Sequence, residues 1–175
     1  MSATFFKINN KRGITLIETI LYMVILTFFM GIIVQMLVSI GTIYKEIKVT
    51  RELESSGTIA MERMLKEIRN ASRVTTDESI LETSPGKLTV SGVDENSEPY
   101  KISFEVLDNA VQISKNIEAP VALTSSSGAV SYLTFHRVTN DNSEGVRIVL
   151  EMSGSSGANQ KTEIFYGFAV LRGSY

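Results

Sequence analysis

The sequence predicts an α+β fold in which a long N-terminal helix, hydrophobic and then amphipathic, packs on a C-terminal antiparallel β-sheet. Three observations predict it. From Ile14 to Tyr44 the run is dominated by apolar residues, contains no proline, and holds one side chain charged near neutral pH, Glu18. Between Lys45 and Arg73 apolar residues recur at helical spacing, with Met61, Met64, Leu65 and Ile68 at i, i+3, i+4 and i+7. After Thr75 the period falls to two, as where Tyr100, Ile102, Phe104 and Val106 alternate with Lys101, Ser103 and Glu105.

The chain divides accordingly into a basic leader (1–13), a membrane helix (14–44), its amphipathic continuation (45–75) and a β-sheet domain (76–175). A hydrocarbon core about 30 Å thick takes about 20 residues of helix. Ile20 to Ile43 supplies that length for one crossing. Lys7, Lys11 and Arg12 precede it with no acid between Met1 and Gly13, a bias that keeps the N-terminus cytoplasmic and sends everything after Tyr44 outward. A secretory signal would place small residues and a cleavage site after the apolar run. Here the small residue, Gly13, lies before it.

Glu18 is the costly element of the anchor, since a carboxylate at a bilayer centre carries a penalty of roughly 2.5 to 3.5 kcal/mol on insertion scales. A partner must offset it. The continuation through Lys45 is free of proline, so a helix unbroken to Arg73 would run about 90 Å at 1.5 Å per residue. Ser55-Ser56-Gly57 is the expected weak point, because glycine inside a helix costs about 1 kcal/mol relative to alanine. Gly31, Ser39 and Gly41 are small residues that allow close approach of neighbouring helices.

In the β-domain, Tyr100 to Lys115 reads as a hairpin turning at Asp108-Asn109, two residues that tolerate positive φ. Further strands are expected at 87–93, 120–124, 130–138, 146–153 and 162–171, in one antiparallel sheet whose inward face receives the Met61 to Ile68 stripe. Ser125 to Gly128 and Ser153 to Gly157 read as flexible connectors.

Composition narrows the function. Across 175 residues there are 17 Lys and Arg against 19 Asp and Glu, and loss of the leader would remove three cations and no acid. A mildly acidic chain lacks the clustered cations that neutralise phosphates, so no nucleic-acid contact is expected. With no cysteine, neither a disulfide nor a thiolate site is available. His136 is the only histidine and sits beside Phe135 in a strand pattern, which makes it a partly exposed strand residue rather than a base. Nucleotide, serine-hydrolase and zinc-protease fingerprints are missing, so the chain is expected to be no enzyme and to carry no cofactor. Asp94 to Glu98 lacks the spacing of a calcium loop and reads as a solvated turn before Pro99, so no metal site is expected.

Lys11-Arg12-Gly13-Ile14-Thr15-Leu16-Ile17-Glu18 ahead of an apolar helix resembles the start of the type IV pilin and pseudopilin superfamily. The resemblance implies that a prepilin peptidase cuts between Gly13 and Ile14, that the new amine of Ile14 is N-methylated, and that Glu18 pairs with the terminal amine of a neighbouring subunit in the filament core. It also implies residence in the inner membrane, with other minor and major pilins or pseudopilins as partners. Ile14 departs from the phenylalanine usual in the family, and Gln35 stands in an unbroken run where many relatives carry a helix-breaking proline.

Downstream, the helix end Met64 to Ser72, the hairpin Ile102 to Lys115, and the segments Val130 to His136 and Val146 to Leu150 resemble, in their order, J-type minor pseudopilins of type II secretion and the related W-type minor pilins. A minor subunit in secretion, piliation or competence (DNA uptake) is therefore expected. The alternative is a membrane-tethered or filament-tip binding module, an adhesin or a cargo binder.

Overall fold

A computed structural model describes residues 15–94, 97–125, 128–140, 143–156 and 159–173. The chain separates into two compact units, Met1–Tyr44 and Lys45–Tyr175.

The first element is helix α1, Leu16–Asn70, which runs through the first unit and into the second. In the first unit every large apolar side chain from Leu16 to Tyr44 is exposed, so none of the described residues buries this surface. Its hydroxyls turn inward on their own helix: Thr19 donates to the Thr15 carbonyl at 3.1 Å, Thr27 to Met23 at 2.8 Å, Ser39 to Gln35 at 3.0 Å and Thr42 to Val38 at 3.3 Å. Such back-bonding satisfies a polar group where hydrocarbon offers no partner.

Within the second unit, Leu53, Ala60, Met61, Met64 and Ile68 form the buried stripe of α1, which accounts for the spacing in the sequence. The expected weakness at Gly57 does not interrupt the helix. Gly57 is buried, and an ideal Cβ there would stand 2.2 Å from Cε2 of Phe165. Packing of that ring outweighs the propensity cost. The helix stops at Asn70, short of the expected boundary at Thr75, because Ser72 donates its N–H to Ser91 O at 2.8 Å and the chain then enters a sheet. The carbonyls left open at the helix end are taken up by Arg172 N–H on Arg69 O at 3.0 Å and the Tyr100 hydroxyl on Asn70 O at 3.2 Å.

Eight strands follow among the described residues. Five form one antiparallel meander: β1 (Arg73–Val74), β2 (Leu88–Val93), β3 (Pro99–Leu107), β4 (Ala110–Lys115) and β5 (Val121–Ala122). Three longer ones form a second antiparallel sheet: β6 (Ala129–Asn140), β7 (Ser143–Ser156) and β8 (Asn159–Val170). The expected single sheet is thus two. Period-two alternation locates strands but carries no information about which neighbour each one chooses. The sheets meet at a corner where Val130 N–H donates to Asn109 O at 2.8 Å.

The hairpin turns where expected, with Asp108 at φ 52° and Asn109 at φ 59°, the conformation of a tight turn that matches strand twist. Ser153 to Ser156, expected as a connector, instead prolongs β7 and pairs with Asn159 to Thr162. Gly157 lies outside the described residues. Gly154 lies against Val49 and Leu53, which explains why a small residue stands in that strand. Of the Ser125 to Gly128 connector, Ser125 is held by the buried Ser56 hydroxyl at 2.9 Å, and Ser126 and Ser127 lie outside the described residues.

Both sheets direct apolar faces at α1. Leu88, Val90, Ile102, Phe104 and Val111 come from the first sheet, and Leu133, Phe135, Val146, Ile148, Leu150 and Met152 from the second. Full burial of each such side chain contributes about 1.5–3 kcal/mol, and this core carries the fold in the absence of any disulfide.

Candidate assembly site

The described residues open at Thr15, whose carbonyl accepts the N–H of Glu18 at 3.1 Å, the N–H of Thr19 at 3.2 Å and the Thr19 hydroxyl. These bonds open the helix and place Glu18 in its first turn. Negative charge is favoured there, because the unpaired N–H groups leave a partial positive charge at a helix N-terminus.

Glu18 is half-buried, while its chain neighbours Leu16, Ile17, Ile20 and Leu21 are all exposed. Its Oε1 accepts a hydrogen bond from the Tyr22 hydroxyl at 2.9 Å. Sequence reasoning identified the acid and missed the phenol. The signal was present in the spacing, since residues four apart share a helix face.

Gly31 and Gly41 have open space where a Cβ would stand, so each leaves a shallow notch on the helix surface. Ser39 spends its hydroxyl on Gln35. The remaining residues expected to act in processing and orientation, Lys7, Lys11, Arg12, Gly13 and Ile14, lie outside the described residues.

Several ionisable groups of the second unit are engaged in structural pairs. His136, half-buried on β6, places Nδ1 against the Glu82 carboxylate, and Lys101 pairs with Glu78. Arg137 pairs with Glu144, whose other oxygen accepts Val74 N–H at 3.3 Å and so ties β1 to the second sheet. Burial, followed by the charges of Glu67 and Asp94, pushes the Tyr100 phenol above its ordinary value of 10.0. At the expected solvated turn, Asp94 accepts the Glu98 N–H on its side chain at 2.9 Å and donates its own N–H to Glu98 O at 2.9 Å. Glu95 and Asn96 lie outside the described residues.

No curated protein and no solved structure matches the chain. Residues 8–34 match the prokaryotic N-terminal methylation motif, a signal of the type IV pilin family, and with the apolar helix and antiparallel sheets that follow it points to a type IV pilin-like protein.

Proposed function

We propose that this chain is a minor pilin or pseudopilin, processed after Gly13 and N-methylated on Ile14, that assembles through its N-terminal helix into a type IV pilus-like filament or its initiating tip complex. One observation carries the reading: a methylation motif at 8–34 takes in the start of an apolar helix whose surface none of the described residues buries and which holds one carboxylate, Glu18, before Lys45.

The leader (1–13) orients the chain through Lys7, Lys11 and Arg12, the segment 14–44 spans the inner membrane, and the domain after it faces the periplasm or exterior. Assembly then moves the helix from lipid to a bundle of similar helices in the filament, a transfer between two apolar surroundings with little hydrophobic cost. Glu18 decides register, because a buried carboxylate left unpaired is expensive and a neighbour's terminal amine relieves it only at the correct axial stagger. The resemblance to J-type pseudopilins and W-type pilins supports a minor role in secretion, piliation or DNA uptake.

Intact mass of the membrane-extracted protein made beside a prepilin peptidase tests the processing step. The expected species starts at Ile14 and carries one added methyl group; a species retaining Met1 to Gly13 defeats the proposal. Glu18→Ala tests the assembly step, with loss of filament incorporation expected while the outer domain stays folded. Normal incorporation with loss of adhesion or cargo binding would instead favour the binding module.

A further inference from the structure

We propose that Tyr22 is a positioning residue that holds the Glu18 carboxylate away from its own chain's terminus and ready for the amine of a neighbour. The inference rests on the assembly reading above and adds to it a residue and a role.

A helical side chain leans toward the N-terminus of its own helix. Left alone, Glu18 would therefore reach back over the turn before it, and four residues before it in sequence stands Ile14, whose amine is freed by processing. Pairing within one chain would neutralise both charges and remove the reason to seek a neighbour. In the structure the carboxylate is drawn the other way, to a hydroxyl four residues later, at 2.9 Å.

Tyrosine suits this task. Its phenol donates one hydrogen bond, and bonds to an ionised acceptor are roughly twice as strong as neutral ones. It brings no second charge into lipid, and its ring is at home where apolar and polar regions meet. A lysine or arginine at the same place would satisfy the carboxylate permanently. The phenol engages Oε1 alone, and among the described residues no donor meets Oε2, which leaves that oxygen's lone pairs for a second, cationic partner.

The test uses the full chain, expressed with its prepilin peptidase in the cells that assemble it, and compares Tyr22→Phe, Tyr22→Gln, Glu18→Ala and the double variant Glu18→Ala with Tyr22→Phe. One readout is the fraction recovered in sheared filaments. The other is the carbon-13 carboxyl resonance of Glu18 in the processed full chain in lipid vesicles, identified by its disappearance in Glu18→Ala. Tyr22→Phe is expected to shift that resonance and to lower incorporation about tenfold with the outer domain still protease-resistant. Tyr22→Gln keeps a donor at i+4 and is expected to restore most of the incorporation. In the Glu18→Ala background, Tyr22→Phe should cost nothing further. If Glu18→Ala abolishes incorporation while Tyr22→Phe assembles as the parent does, or leaves the resonance unmoved, the role of Tyr22 is overturned and the assembly reading stands. If Glu18→Ala assembles normally, both fall.

Discussion

The ring of Phe165 on β8 occupies the space in which any side chain at Gly57 of α1 would stand, with 2.2 Å between Cε2 and an ideal Cβ. Gly57→Ala would gain about 1 kcal/mol of helix propensity, yet it forces an aromatic ring out of a packed site at a typical cost of about 1–3 kcal/mol. The expected result is a net loss of stability in the second unit, read by chemical denaturation. Phe165→Ala in the same chain should remove the penalty of the alanine, so the two substitutions should be non-additive. An additive pair would show that the ring does not set the identity of residue 57.

Thr134, on β6, is fully buried, and its hydroxyl has no hydrogen-bond partner among the described residues. Thr134→Val keeps the shape and removes a desolvated polar atom. A gain of about 1 kcal/mol is expected, seen as a higher denaturation midpoint with an unchanged slope. A loss would mean that water or a further residue satisfies the hydroxyl.

Tyr100 gives the second unit an alkaline weakness. Its phenol titrates above the ordinary value of 10.0 in the folded state, through burial first and the Glu67 and Asp94 charges second. Below that ordinary value both states are protonated and the contribution is complete; above it the unfolded chain gives up the proton more readily, so stability falls as pH rises through the folded value. Tyr100→Phe is expected to flatten the decline beyond pH 10 and to lower stability at neutral pH, where the bond to Asn70 O is lost. Denaturation curves of both chains across the alkaline range check the sign.

The hairpin at Asp108-Asn109 needs two residues in the left-handed region. Asn109→Val puts a β-branched side chain at φ 59° and should cost about 1–2 kcal/mol without changing the strands it joins. Amide exchange along Leu107 and Ala110 should report the loosening before global unfolding does.

Much of this architecture was legible in the sequence, and the parts that were not share a cause. The helical stripe Met61 to Ile68 and the alternation at Tyr100 to Val106 could be read because burial imposes a period on residue type. Ser153 to Ser156 could not, since a polar, glycine-bearing segment pairs through its backbone and leaves no trace in side-chain pattern. The same holds for the division into two sheets and for Gly57, whose identity answers to a ring more than a hundred residues away. At the candidate assembly site the carboxylate announced itself by being alone in an apolar run. Tyr22 did not, because an aromatic residue near the start of a membrane helix looks ordinary until its hydroxyl is seen to point at Glu18.

The fastening of the helix end has a temporal meaning. Arg69 waits for the amide of Arg172, which leaves the ribosome about a hundred residues later. Under the proposed membrane insertion, a partly exported chain would present its greasy rod to the bilayer long before the following portion could lock, and whatever recruited it during that interval would meet an unfinished head.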